Sequence, residues 1–284
     1  MRPVLKWAGG KSRLAPEIDA AFDGVVEGLW VEPFLGSAAV YLYMRARGRV
    51  LRALLSDANE KLIATHRSIR DDVDGVLNAV GKLPHEPGWE SSYEGIRERY
   101  NRGPFSGPDH AARFLWLNRA GYNGLYRENR LGRFNVPCGR YPALSFPSAD
   151  HFRTVSALLA DAEIRCDDFD AILRVAGEGD AVYCDPPYVP LSETASFTGY
   201  HASPFGAAEQ ERLALAARRA AMAGAVVVLS NHDLPVVRND LYAPSLGFEH
   251  VARPRVARAI SRSAATRAPV HEIIARIGPS REVA

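Results

Sequence analysis

LWVEPFLGSAAVYLYMRARGRVLRALLSD, residues 29–57, decides the fold. Residues 29–32 form a short apolar run that stops at Pro33-Phe34-Leu35-Gly36. Residues 38–47 carry helical spacing, and residues 50–55 form a second apolar run closed by Ser56-Asp57. Strand, turn, helix and strand in that order is the building unit of an α/β sheet. Residues 60–70 follow with helical periodicity of their own.

The same alternation resumes late in the chain. Residues 163–166 and 180–184 are candidate strands, and the second ends at Asp185-Pro186-Pro187-Tyr188. Residues 207–222 read as a helix, and residues 225–229 as a strand ending at Ser230-Asn231-His232-Asp233. Residues 248–261 and 270–277 read as edge strands. From about residue 74 to residue 147 Pro and Gly become frequent and the chain turns basic, which reads as an insertion with a small helical fold of its own. In open α/β sheets ligands gather beyond the C-terminal strand ends, and residues 33–36, 57, 185–188 and 231–233 all fall there.

With 284 residues, 47% apolar and 24% charged, the chain is neither disordered nor fibrous and can bury a core without disulfides or metal. Its longest apolar run, residues 220–229, is half a membrane span. The N-terminus lacks an apolar signal core, so a cytoplasmic protein is expected. Cys138, Cys166 and Cys184 form no close pair, which fits a reducing compartment, and no CxxC or HExxH suggests a metal. Net charge is only +2, but its distribution is uneven. Residues 97–140 hold nine arginines against Glu98, Asp109 and Glu128, and residues 253–276 hold six against Glu272. Two basic blocks on an otherwise acidic chain point to a localised polyanion-binding face, with solvated surface arginines as the plainer alternative.

Asp185-Pro186-Pro187-Tyr188 is the sharpest chemical signal. Two consecutive prolines lock the backbone and remove two N–H donors. The Asp185 carboxylate and the Pro186 carbonyl are then two fixed acceptors, suited to an –NH2 group, and Tyr188 adds a flat ring suited to stacking on a base. Gly10-Lys11-Ser12 ends like a phosphate loop, but the first glycine that loop requires would fall at Leu5, with no room for a preceding strand. Ser230, His232 and Asp233 are the residue types of a hydrolytic triad, but they crowd into four positions, whereas a triad assembles from distant segments. His232 reads instead as a structural or pocket-wall residue.

These motifs together resemble the amino-group DNA methyltransferases that form N6-methyladenine, and among them the Dam-type DNA adenine methylases. The resemblance runs nearly end to end. It covers Leu5-Lys6-Trp7-Ala8-Gly9-Gly10-Lys11, Glu32-Pro33-Phe34-Leu35-Gly36 and Asn118-Arg119-Ala120-Gly121-Tyr122-Asn123-Gly124-Leu125. It continues through Phe134-Asn135-Val136-Pro137-Cys138-Gly139-Arg140-Tyr141, residues 183–188 and residues 229–233. It implies a Rossmann-like S-adenosylmethionine-dependent methyltransferase sheet, discontinuous over residues 1–70 and 148–284, with an inserted, mostly helical DNA-recognition domain at 71–147.

The resemblance further implies S-adenosylmethionine as methyl donor, bound by Trp7, Lys11, Phe34, Gly36, Asp57 and Asp185. Double-stranded DNA is the implied partner, with the palindrome GATC as target and a monomeric enzyme. A base inside a duplex must be flipped out to be reached. Asp185, Pro186 and Tyr188 would then hold the flipped adenine. Lys6 would contact the first guanine, Arg127 a guanine edge on the opposite strand, and Leu125 and Pro137 a thymine methyl. Arg140 would lie on bases or phosphate, while Tyr122 and Asn123 would fill the gap left by the adenine. Arginine or lysine on guanine and apolar groups on a thymine methyl are favoured major-groove pairings.

Two departures stand out. The family's Phe-x-Gly-x-Gly turn has Ala38 in place of its second glycine, which bears on donor affinity. The segment Ala259-Ile260-Ser261-Arg262-Ser263, expected to grip the DNA backbone, is followed by Ala264-Ala265 where the family has a polar, glycine-rich stretch. Two other readings remain beside this one. Related enzymes methylate protein or RNA nitrogens, although Asp at 185 and the basic insertion favour DNA. The same fold can also serve as a non-catalytic DNA-binding module.

Overall fold

A computed structural model describes residues 1–22, 26–191, 205–256 and 270–279. The segment 259–263, expected to grip the DNA backbone, lies outside them. The strands are β1 (Val26–Glu32), β2 (Val50–Ser56), β3 (Ala162–Arg165), β4 (Ala181–Cys184), β5 (Val226–His232), β6 (Glu249–Ala252), β7 (Arg255–Val256) and β8 (Val270–Ile277). The α-helices are α1 (Ala15–Ala20), α2 (Ala39–Ala46), α3 (Glu60–Asp71), α4 (Val73–Gly81), α5 (Tyr93–Arg102), α6 (Gly107–Ala120), α7 (Ala149–Leu159), α8 (Phe169–Leu173) and α9 (Ala207–Met222). The chain divides into two compact units. The first is Met1–Ser12, Gly36–Ala46 and Asp57–Cys166; the second is Arg13–Leu35, Arg47–Ser56 and Asp167–Ala284. Among the described residues no helix is long and apolar enough to cross a membrane.

The second unit is built on a mostly parallel sheet, so the chain has the mixed α/β fold read from residues 29–57. Strand order runs β2–β1–β4–β5–β8–β6. Strands β2, β1, β4 and β5 are parallel, and β8 runs antiparallel to both β5 and β6. Every residue of β4 is buried, as the unbroken apolar run of a parallel strand covered on both faces predicts. Helix α9 presents Leu213, Ala214, Ala216, Ala217 and Ala220 to the core at helical spacing. They pack with Val31, Val182, Val227, Leu229, Ile273 and Ala275 in one apolar cluster.

The expected tail edge strands need correction. Strand β8 has the predicted bounds, but it is interior, paired on one side with β5 and on the other with β6 and β7. Its last six residues are all buried, which an edge position facing solvent would not produce. The 248–261 strand breaks at Arg253-Pro254 into β6 and β7, since proline cannot donate to a ladder.

The first unit is dominated by helices. Helix α6 packs on α3, α4 and α5 and is buried nearly all round, including Phe114, Leu115, Trp116 and Leu117. The Trp89 and Trp116 rings meet edge to face at 5.7 Å. Side-chain caps start these helices: Asn59 accepts from the Leu62 N–H at α3, Asp72 from Gly75 at α4, and Ser148 from His151 at α7.

If β8 is interior, Ile274→Ala should destabilise by about 2–5 kcal/mol through the cavity it leaves. Val251→Ala on half-exposed β6 should cost under about 1 kcal/mol. Urea midpoints for the two variants test this, and equal small losses would contradict the interior placement.

Candidate active site

In the first unit, three of the expected donor residues, Trp7, Gly36 and Asp57, meet at one peptide. Gly36 has φ +48°, a left-handed conformation that glycine adopts without penalty. A Cβ built there would stand 2.8 Å from Trp7 Cδ1, so the indole lies directly against the glycine. The Gly36 N–H donates to Asp57 Oδ2 at 3.0 Å, and the Asn59 N–H donates to Asp57 Oδ1 at 3.0 Å. Burial pushes the Asp57 pKa up, and these two backbone N–H groups pull it back. Each carboxylate oxygen has one N–H partner here and keeps a second lone pair, the arrangement a pair of ribose hydroxyls requires.

Two residues that sequence reading missed complete this turn. His66 lies fully inside α3 with Nε2 2.8 Å from the Gly36 carbonyl, which therefore accepts an Nε2–H. Its Nδ1 has no partner among the described residues. Asn59 fixes Asp57 from the cap of α3. Ala38 holds φ +62° and is fully buried. The turn thus keeps its left-handed form at the position where the resemblance expects glycine, at a cost of ~1–2 kcal/mol. Lys11 is buried, and its Nζ donates to the Gly9 carbonyl at 2.6 Å.

The expected base-reading residues also gather in the first unit. Asn118 pins the backbone of Lys6, accepting from its N–H at 2.8 Å and donating to its carbonyl at 2.7 Å. The Lys6 ammonium lies 5.6 Å from the Tyr141 ring centroid, and burial, then Arg119, lowers its pKa. Gly124 must be glycine, because a Cβ would meet Lys6 Cδ at 2.9 Å. The Tyr122 N–H donates to the Pro137 carbonyl at 2.9 Å, leaving the Tyr122 side chain 52% exposed. Asn123 is left-handed (φ +55°), and its N–H donates to the Tyr141 hydroxyl at 3.0 Å. Leu125 is half-buried; Arg127, Pro137 and Arg140 are exposed. The Arg127 guanidinium is bound to its own hairpin, to Asn135 Oδ1 at 2.7 Å and the Asn135 carbonyl at 3.0 Å.

In the second unit, β4 delivers Asp185 to a corner stiffened by Pro186 and Pro187. Ser230 Oγ donates to Asp185 Oδ1 at 2.8 Å and lies 2.9 Å from the Tyr183 hydroxyl. Gln210 Nε2 donates to the Pro187 carbonyl at 2.6 Å, and the Val189 N–H donates to Asn231 Oδ1 at 3.1 Å. Asn231 in turn donates to Gln210 Oε1 at 3.1 Å. The Tyr188 hydroxyl donates to Glu272 Oε2 at 2.8 Å, and its ring stands edge-on to His232 at 4.9 Å. Burial and the nearby Asp185 and Glu272 charges push the Tyr188 pKa well up, so this hydroxyl stays protonated. His232 Nδ1–H donates to the Val189 carbonyl at 2.7 Å, the structural role expected of it. Asp233 is instead held by Arg238 and Arg253, so Ser230, His232 and Asp233 form no triad. Phe34 stacks on Phe169 at 5.4 Å and meets Phe205 edge-on at 5.6 Å. Ser230, Gln210 and Glu272 are further residues that sequence reading gave no role. Ser230-Asn231, polar at the end of a buried apolar run, was a usable signal.

The chain is similar to known proteins over most of its length. The family model described as D12 class N6 adenine-specific DNA methyltransferase matches residues 7–253. The DNA adenine methylase of Haemophilus influenzae is 35% identical over 282 residues, covering 98% of this chain and 94% of that protein. The DNA adenine methylase of Escherichia coli K12 is 36% identical over 283 residues, covering 98% and 96%. The type II methyltransferase M.MjaIII of Methanocaldococcus jannaschii is 33% identical over 244 residues, covering 81% and 84%.

Gly36→Ala should destabilise by ~1–3 kcal/mol, through left-handed strain and displacement of Trp7. Thermal unfolding and quenching of tryptophan emission report both effects, and an unshifted melting curve would refute the close packing. His66 predicts a pH effect of definite sign. Burial lowers its pKa from 6.5 to about 4, against the opposing pull of the Gly36 carbonyl. Below pH 6.5 the unfolded chain takes a proton that the folded chain refuses, so stability falls as pH drops from 6.5 to about 4 and then levels off for this group. His66→Gln should flatten that loss in urea titrations at pH 7.5, 6 and 5, whereas an identical pH slope in the variant would remove His66 as its source.

Proposed function

The chain belongs to the D12 class N6 adenine-specific DNA methyltransferase family, and from that premise we propose how this adenine-specific DNA methyltransferase works. The donor is S-adenosylmethionine, and the target is the adenine of GATC in duplex DNA, flipped out of the helix. The observation that carries this reading is the Asp185 corner. Its carboxylate is oriented by Ser230, its backbone is stiffened by two prolines, and its ring, Tyr188, is fixed at the hydroxyl by Glu272.

S-adenosylmethionine, when bound, supplies an electrophilic methyl group on a sulfonium. Trp7, Lys11, Phe34, Gly36 and Asp57 are the residues that would hold it, with Asp57 on the ribose hydroxyls and the aromatic side chains against its adenine and sulfonium. Asp185 and the Pro186 carbonyl accept the two hydrogens of the target amino group. That draws the nitrogen lone pair out of ring conjugation and aims it away from the acceptors. Asp185 would also take up the proton that the amino nitrogen must lose on methylation. Tyr188 stacks on the extruded ring. Orientation of this kind supplies up to ~7–11 kcal/mol without a covalent enzyme intermediate.

Residues 71–147 are the target-recognition domain, inserted between catalytic segments 1–70 and 148–284. This division follows composition and the order of motifs along the chain, whereas the two compact units follow packing. Lys6, Leu125, Arg127, Pro137 and Arg140 read or grip the duplex, and Tyr122 with Asn123 fills the vacated position. The enzyme acts as a monomer on DNA in the cytoplasm.

Asp185→Ala should lower methylation about a hundredfold or more while duplex affinity stays within a few-fold. Tritium transfer from labelled S-adenosylmethionine to GATC duplexes, GATC-free duplexes, RNA and protein is the measurement. Full turnover by the variant would remove Asp185 from the chemistry, and equal labelling of GATC-free DNA, or label on RNA or protein alone, would overturn the target.

A further inference from the structure

Arg127 stands between two anchored neighbours. On one side, the Tyr126 ring is stacked on Trp7 at 5.5 Å and on Phe114 at 5.2 Å. Its hydroxyl donates to Glu128 Oε1. On the other side, Glu128 Oε1 receives Lys61 Nζ at 2.7 Å. Lys61 also donates to the Gly132 carbonyl and lies 4.6 Å from the Phe105 ring centroid. The Lys61 and Glu128 side chains are 13% and 29% exposed, so this pair is partly withdrawn from water, unlike the rim pairs on the same unit such as Arg102–Glu98. A partly desolvated pair is screened less and constrains geometry more than an exposed one.

The far ends of these anchors matter most. Trp7 is the ring pressed against Gly36. Lys61 sits in the first turn of α3, two residues after Asn59, whose N–H holds Asp57. Tyr126 therefore fastens the Arg127 hairpin to Trp7, and Glu128 fastens it through Lys61 to the first turn of α3, the helix whose cap residue Asn59 holds Asp57. The hairpin is closed on itself by the Glu128–Phe134 bridge and by Arg127 with Asn135. Its returning strand is held to α5, where Asn101 bonds both backbone groups of Phe134 at 2.8 and 3.0 Å, so Tyr126 and Glu128 are the anchors of the strand that carries Arg127.

We propose that Tyr126 and Glu128 are positioning residues for target choice: they register Arg127 against the Trp7–Gly36–Asp57 frame, so that filling the donor pocket and reading the base sequence reinforce each other. The inference rests on the reading above, in which Trp7 and Asp57 hold the donor and Arg127 reads a base. If it holds, donor binding and cognate-duplex binding are linked and strengthen each other by the same factor.

The test measures S-adenosylhomocysteine affinity by calorimetry, with and without a GATC duplex, and the kcat/KM ratio for GATC against duplexes with one base pair changed. Glu128→Gln and Tyr126→Phe keep the volume and the stacking and remove only the charge or the hydroxyl. Both should melt within a few degrees of the unaltered protein and bind S-adenosylhomocysteine alone with unchanged affinity. The duplex-induced tightening should fall roughly five- to tenfold, with a matching loss of discrimination at one base pair. Lys61→Met should reproduce the Glu128→Gln effect, and the double variant should be no worse than either single one. Unchanged tightening and discrimination in the folded variants would overturn the inference while leaving the donor and target reading intact. No S-adenosylhomocysteine binding, or no GATC preference, in the unaltered protein would overturn both.

Discussion

Gly36 occupies a place where no side chain fits, and the first unit is arranged around that exclusion. Its Cα carries the Trp7 indole, its N–H reaches Asp57, and its carbonyl receives His66. Each contact removes a different freedom: the ring fixes the approach, and the two hydrogen bonds fix the plane of the peptide on either side. Asp57 is then doubly held, because Asn59 supplies its second N–H while capping α3. One peptide thereby sets the position of a carboxylate, an indole and the start of a helix. The cost is a buried histidine kept neutral, with one ring nitrogen unpaired among the described residues.

The Asp185 corner reaches rigidity by the opposite route. Prolines at 186 and 187 remove two backbone donors, so no ladder of main-chain bonds can hold the loop. Side chains replace them. Ser230 holds the carboxylate, Gln210 the Pro187 carbonyl, and Asn231 the N–H of Val189, with Asn231 and Gln210 joined to each other. Ser230, Asn231 and Gln210 are all fully buried, and burial is tolerable because each polar group is paired. The polar end of β5 and the one glutamine of the α9 core face are therefore the supports of the corner.

Residues whose chemistry is local were legible in the sequence, and those whose role arises across the fold were not. The apolar runs of β1, β2, β4 and β5 and the bounds of α9 and β8 follow from periodicity, which burial alone dictates. The place of β8 inside the sheet did not follow, since periodicity says which residues are buried and not which strand lies alongside. Helices α7 and α8 were passed over although Ser148 and Asp168 cap them and Asp150 and Asp170 sit in their first turns. At five residues α8 is too short to display a period, and the apolar positions of α7 (Phe152, Val155, Leu159) follow directly on the Pro- and Gly-rich insertion, where no alternation leads up to them. At the site, Asp185, Asp57, Gly36 and Trp7 stand in recognisable motifs. His66 stands in none, because a lone histidine on a helix has no spacing to betray that its nitrogen meets a carbonyl thirty residues away.

Under the proposed reading of the bases, Arg127 indicates where the ordering cost of recognition would be met. A free arginine carries much rotamer entropy, which contact with a base would have to overcome. The Arg127 guanidinium is already bound twice by Asn135, so much of that cost is met within the folded protein. Asn123 accepts a left-handed backbone that asparagine tolerates better than most side chains, and this leaves Tyr122 projecting into solvent. An exposed aromatic residue gains nothing for the isolated protein. The Tyr122 backbone is fixed through the Pro137 carbonyl, so in the proposed reading its exposed ring is a group whose favourable energy would be realised only against a partner. In the proposed reading, rigid presentation of these groups places specificity in where the hairpin stands, and the packing of Tyr126 on Trp7 is one of the contacts that hold it there.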